Sequence, residues 1–143
     1  MAYKLFLDTN VFLDVFLERT DDWNEAEKIL QLASRNKIDV FTSANNLVNV
    51  IYSLKKQKLT QDEIIRMMEL TLTYTQLADI TRPAFAFALR AGFPDLEDAV
   101  QFYTALQIKG IDYFITSNTK DYKKTSMQLP VITPKQFMGL YNK

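Results

Sequence analysis

The chain has no cysteine and no histidine among its 143 residues. The first absence removes disulfides, thiolate nucleophiles and thiolate metal sites. The second removes Ser-His-Asp and Cys-His catalysis and every histidine-ligated zinc site. Only three glycines occur, Gly92, Gly110 and Gly139, which leaves no phosphate-cradling glycine loop of either common type. No window reaches the apolar length of a membrane span. The opening residues, Met1-Ala2-Tyr3-Lys4-Leu5, lack the long apolar core of a signal peptide, so a cytoplasmic protein without membrane contact is expected. Net charge is missing as well: 17 Lys and Arg balance 17 Asp and Glu. Any polyanion must therefore be met by a local basic patch rather than a global field. Chemistry in such a chain falls to carboxylates, with a hard divalent cation as the natural companion.

A hydrophobic content of 48% and an aromatic content of 13% suit one globular domain over residues 1–143. Lys4 to Leu7 reads as a strand and Val11 to Phe16 as a short helix. Asp22 to Ser34 is helical by the spacing of Trp23, Ala26, Ile29, Leu30 and Ala33, with Asp21 or Asp22 as cap. Asp39 to Thr42 reads as a second strand. Ser43 then caps a helix through Lys56 with Leu47, Val50, Ile51 and Leu54 on one face. Thr60 and Glu63 form a capping box for a helix through about Leu72. Leu77 to Ile80 reads as a third strand. Pro83 opens a helix ended by Gly92, with Phe85, Ala88 and Leu89 inward. A helix from near Asp95 to Lys109 is closed by Gly110. Tyr113 to Thr116 and Val131-Ile132 are further strands, and Pro134 begins a last helix. Strands that are apolar throughout, alternating with helices, point to an α/β domain with a mainly parallel sheet covered on both faces.

Asp8 stands at the exit of the first strand, next to a helix start. A charge there is costly unless it meets a metal or a reacting group, and open α/β sheets bind ligands outside the carboxyl ends of their strands. Asp95 and Asp98 share one face at the start of a later helix, while Glu97 points elsewhere. Asp95 is equally well read as a helix cap, whereas Ala99, Phe102, Tyr103 and Leu106 place Asp98 near the buried edge, where an acid needs a partner. Asn118 and Asp121 leave the fourth strand, either as an Asx-turn and an N-cap or as ligands. Three segments thus aim oxygen ligands at one rim of the sheet, and carboxylates so gathered repel unless a cation lies between them. Oxygen-only donors suit Mg²⁺ or Mn²⁺, which activates water and neutralises charge on a phosphodiester.

Asp8-Thr9-Asn10-Val11-Phe12-Leu13-Asp14, Asp95-Leu96-Glu97-Asp98-Ala99 and Thr116-Ser117-Asn118-Thr119-Lys120-Asp121-Tyr122 resemble, in order and at suitable separations, the three motifs of the PIN domain. The resemblance spans almost the whole chain. It implies a three-layer, Rossmann-like α/β/α domain and a Mg²⁺- or Mn²⁺-dependent endoribonuclease acting on RNA. The commonest small bacterial members are VapC-type toxins, which implies an antitoxin protein as partner and a homodimer. Carried over by motif, Asp8 and Asp98 would be the principal metal ligands and Asp121 a further acid of the same catalytic site. Asn118 would orient the loop or touch a metal-bound water. The family usually has a glutamate where the register Thr42-Ser43-Ala44 puts Asn49. Asn45 and Asn46 are close by but fall on other helical faces. Asn49 can ligate through its amide oxygen but brings no charge, and Asp95 could compensate one turn before Asp98.

Other residues carry competing readings. Asp14 is either a partner of the site or solvated, and the second is favoured. Lys55, Lys56, Lys58, Lys120, Lys123 and Lys124 are the candidate RNA-backbone contacts, though such runs are usually solvated. Tyr52, Phe102 and Tyr103 are read as core, and Phe12 and Phe16 as core or dimer face. Two functions of different class follow. One is the ribonuclease. The other is a catalytically weakened PIN-like module that binds RNA or protein, with Asn49 as its support. A haloacid-dehalogenase-type phosphatase is set aside, because it needs a second Asp two residues after Asp8 and position 10 is Asn.

Overall fold

The computed structural model describes residues 2–125 and 128–143, without the side chains of 123–125. Five strands, β1 (Lys4–Leu7), β2 (Asp39–Ser43), β3 (Thr75–Ala78), β4 (Tyr113–Ile115) and β5 (Val131–Ile132), form one parallel sheet in the order β3-β2-β1-β4-β5. Helices α1 (Thr9–Leu17), α2 (Trp23–Ser34), α3 (Ala44–Lys56), α4 (Gln61–Tyr74), α5 (Arg82–Arg90), α6 (Leu96–Leu106) and α7 (Pro134–Tyr141) cover it, and a 3-10 helix spans Thr119–Thr125. This is the expected α/β/α arrangement with a parallel sheet. The chain runs outward from β1 through β2 to β3, then crosses to β4 and β5 on the other side. The strand order therefore reverses between β1 and β4, and a crevice opens at their carboxyl ends.

Alternation along β1 divides the core. Leu5 and Leu7 point to one face with Val11, Phe12, Ile29, Val50 and Phe137. Phe6 points to the other with Phe102, Ala105, Phe114, Tyr122 and Leu129. The second cluster is largely aromatic. Phe114 lies 4.9 Å from Tyr122, 5.4 Å from Phe6 and 5.8 Å from Phe102 between ring centroids, each pair worth ~1 kcal/mol beyond area burial. Phe12 is fully buried and Phe16 packs partly buried beside it, so both belong to the core.

Several boundaries and faces differ from expectation. Strand β3 begins at Thr75 rather than Leu77, because Thr75, the C-cap of α4, is already extended and joins the sheet with no loop. Helix α6 stops at Leu106 rather than Lys109; a tight turn follows, closed by the Ile108 N–H on the Ala105 carbonyl, and Gly110 at φ 78° completes it. On α5 the inward residues are Ala84 and Ala88, while Phe85 and Leu89 are exposed. Two small residues one turn apart let α5 lie close on α6, which leaves the larger side chains outside. Strand β5 is two residues long and lies between Pro130 and Pro134.

Candidate active site

Asp8 leaves β1 at the reversal point, and its backbone N–H donates to the Ile115 carbonyl of β4 at 3.0 Å. It caps α1: Oδ1 accepts from the Thr9 N–H at 2.7 Å, and Oδ2 accepts from the Thr116 hydroxyl at 3.0 Å. The residue is only 6% exposed. Burial holds its carboxyl above the ordinary range, the charges of Asp14 and Asp95 add to the rise, and the hydrogen bonds from Thr116 and Thr9 oppose it. Thr116 is itself ordered, since its Oγ1 accepts from the Asn118 N–H at 3.2 Å.

Asp98 faces the same crevice from the first turn of α6, and its carboxyl is pushed up to about 6. Partial burial is the largest cause, followed by the charges of Asp8 and Asp95, with a smaller push from Asp121; a hydrogen bond from Tyr122 opposes them. The buried Tyr122 phenol is pushed far up by burial and by the Asp8 and Asp98 charges, so it stays protonated and donates to Asp98. Asp95 is exposed and caps α6 by accepting the Asp98 N–H at 3.1 Å, acting on Asp8 and Asp98 through its charge. Asp121, on the 3-10 helix, accepts from the Asn118 side-chain amide at 2.6 Å. Asn118 therefore orients the acid and the loop together.

The crevice, about 320 Å³, is lined by Asp8, Thr9, Asn10, Arg19, Asn46, Asn49, Tyr52, Glu97, Asp98 and Gln101 among others. Three of these correct the sequence reading, and a fourth, Gln101, was absent from it. Glu97 reaches the crevice beside Asp98 instead of pointing elsewhere. Tyr52 is exposed at the crevice rather than in the core, with the Lys56 ammonium 4.5 Å above its ring. Asn46 stands beside Asp8 with Asn49 and is the more deeply buried of the two. Its amide donates to Thr42 Oγ1 at 3.1 Å and to the Leu7 carbonyl at 3.4 Å, and its oxygen accepts from the Thr9 hydroxyl at 2.9 Å. Gln101 carried no sequence signal beyond lying three residues after Asp98. It is buried with Oε1 on the Ser43 hydroxyl at 2.7 Å, and its Nε2 has no partner among the described residues.

Asp14 is not solvated. It is 2% exposed, accepts from Arg19 Nε at 2.7 Å and from the Ser117 hydroxyl, and so ties α1 to the segment after β4. Of the candidate phosphate contacts, Lys123 and Lys124 have side chains outside the described residues, and among the described residues no lysine lines the crevice.

Among the described residues no three acidic side chains stand together as a ready metal cage. The candidate ligands at the crevice are nevertheless all oxygens, of carboxylates, amides and hydroxyls. Beyond the effect of burial, the neighbouring acidic charges raise Asp8 and Asp98 further, a repulsion that a cation would relieve. The residues fit a hard divalent ion held chiefly by two carboxylates.

The chain is 28% identical over 144 residues to Ribonuclease VapC1 of Aquifex aeolicus (strain VF5), an alignment that covers 97% of this chain and 96% of that protein. VapBC2 of Rickettsia felis, solved bound to a DNA fragment from its promoter, superposes with a TM-score of 0.67 at 14% identity, over 91% of this chain and 98% of the matched one. VapC20 of Mycobacterium tuberculosis, a sarcin-ricin-loop-cleaving toxin, superposes with a TM-score of 0.63 at 16% identity, over 85% and 95%. At these identities the two structures speak to the fold. The PIN-domain family itself matches residues 4–120, across all three acidic segments but for Asp121. With its parallel sheet and acidic crevice, the chain belongs to the PIN-domain family and resembles the VapC-type members.

Proposed function

We propose that this protein is a divalent-metal-dependent endoribonuclease, the toxin of a toxin–antitoxin pair. The observation that carries the reading is the buried Asp8 carboxylate at the strand-order reversal, opened toward Asp98 across the crevice. The 28%-identical relative is a ribonuclease and one fold neighbour is a toxin that cleaves RNA, which supports both the substrate class and the biological role.

In this reading Asp8 and Asp98 would hold Mg²⁺ or Mn²⁺, with the Asn49 amide oxygen as a neutral third donor and the Asp95 and Asp121 charges adding to the attraction. Such an ion, when bound, supplies a water of lowered pKa and offsets charge at the scissile phosphate. The chain does the positioning. Thr9 and Thr116 fix one lone pair on each Asp8 oxygen and leave the others for ligation. Tyr122 orients Asp98. Asn118 holds the Asp121 carboxylate, whose charge reaches Asp98 from outside the crevice lining. With no histidine in the chain, the proton from the attacking water goes to a carboxylate oxygen or to solvent.

Partners belong to the same proposal. An antitoxin is supported by the VapBC2 neighbour and would be tested by whether a co-expressed partner blocks cleavage. A homodimer is supported by the exposed Phe85, Phe87 and Leu89 of α5, and a monomer mass in sedimentation equilibrium would remove it. A second reading, a binding module with weakened chemistry, is favoured by Asn49 and by the lack of a three-acid cage among the described residues. The deciding experiment is cleavage of a mixed single-stranded and structured RNA pool with Mn²⁺, Mg²⁺ or EDTA, comparing wild type with Asp8→Asn and Asp98→Asn. Ion-dependent cuts that vanish in both variants are expected. Intact RNA with folded wild-type protein and either ion hands the protein to the binding module.

A further inference from the structure

Among the described residues Arg19 is the single cation lining the crevice with Asp8, Glu97 and Asp98, yet its ion pair is with none of them. Its position comes from the way α1 ends. Glu18, the C-cap, is left-handed at φ 48°, a conformation unfavourable for a side chain other than glycine, and it folds the chain back so that the Arg19 N–H donates to the Asp14 carbonyl. The Arg19 side chain then runs back along α1. Its Nε donates to Asp14 Oδ1 at 2.7 Å and its Nη2 to Asn10 Oδ1 at 2.9 Å.

Asp14 is itself buried and is held through its other oxygen by Ser117. The guanidinium is thereby clamped along one edge. Both N–H groups of Nη1 and the second of Nη2 have no partner among the described residues, and the side chain is 39% exposed. A cation that served only to neutralise the crevice would lie against Asp8 or Asp98. This one is paired instead with the buried Asp14, and it still lines the crevice.

We propose that Arg19 grips a backbone phosphate of the bound RNA beside the scissile one. This rests on the ribonuclease reading of the same site. The planar fork of arginine matches two phosphate oxygens at once, and a side chain ordered in advance loses little freedom on binding. Asp14 and Asn10 are positioning residues that aim the fork. The carboxylates alone would repel the strand, so the grip also accounts for how an acidic crevice in a chain of zero net charge receives a polyanion.

The test is binding of a fluorescein-labelled single-stranded RNA in Mg²⁺, as a function of salt, in an Asp98→Asn background where cleavage is stopped. Adding Arg19→Gln should raise Kd several-fold and flatten the slope of log K against log salt by about 0.7, the loss of one phosphate contact. Arg19→Lys should keep the slope while weakening binding, because the point charge survives and the fork does not. Should Arg19→Gln fail to fold with Asp14 left unpaired, Arg19→Gln combined with Asp14→Asn removes the buried charge and should show the same flattened slope. In the cleaving protein, Arg19→Gln should raise KM with kcat little changed. A folded Arg19→Gln protein with unchanged Kd and unchanged slope, while wild type cleaves RNA, overturns the grip and leaves Arg19 as a strut for Asp14. A wild type that neither binds nor cleaves RNA overturns the ribonuclease reading and the grip with it.

Discussion

Asp98 keeps its proton up to about 6, against 3.8 for an ordinary aspartate. A carboxyl raised on folding favours the folded state only while protonated. Its contribution is complete below the ordinary value and is lost as the pH climbs through that window. Buried Asp8 is raised in the same direction and adds to the trend. Metal-free protein should therefore melt at a falling temperature as the pH rises from 3.8 to about 6, and Asp98→Asn should flatten that fall. Parallel melting curves for the two proteins in EDTA would contradict it. Asp98 is only partly buried, so solvent screens the effect and the slope is the quantity to read. At this scale the carboxylates were legible from their places at strand ends and in a helix first turn. Asp14 was misread because most aspartates are exposed, and nothing local announces a partner five residues later reached through a left-handed Glu18. Asn46 was set on another face because the motif register pointed to Asn49, whereas contact with the end of β1 is decided by how α3 packs.

Helix α3 is held to the site by one buried amide. Asn46 links the Leu7 carbonyl at the end of β1, Thr42 on β2 and the Thr9 hydroxyl at the start of α1. Replacing it with alanine leaves the half-buried Thr9 hydroxyl without its acceptor, while Thr42 and Leu7 keep the bond between them, and should cost about 1–3 kcal/mol. Cleavage should fall further than stability explains, since Thr9 and hence the Asp8 cap lose their support. Chemical denaturation alongside single-turnover cleavage separates the two losses, and a stable, fully active Asn46→Ala protein would refute the link. Elements marked by explicit stop and start chemistry were readable: the Thr60 and Glu63 capping box, Ser43 as N-cap and Pro83 in a first turn all stand as expected. Elements lacking such marks moved. The helix-to-strand join at Thr75 contains no glycine or proline to announce it, and the face of α5 turned on whether alanine or phenylalanine better fits a close helix pair.

Across the whole molecule the strand order is what converts dispersed sequence into one site. Positions 8, 98 and 116–121 are far apart in the chain, and the reversal between β1 and β4 brings their elements to one rim. Alternating apolar blocks were enough to expect a parallel sheet covered on both faces, but not which strands would be central. The two edges of that sheet differ in kind. Strand β5 is hardly a strand, two residues between prolines, and offers almost no free ladder to another chain. Strand β3 carries four residues, with Gln76 and Leu77 exposed. Stray strands can thus add to this protein from one side only, so self-association in storage should start at β3. Leu77→Lys should slow the growth of light scattering at high concentration while shifting stability by no more than about 0.5 kcal/mol. Unchanged scattering would move the seed of aggregation away from the sheet edge.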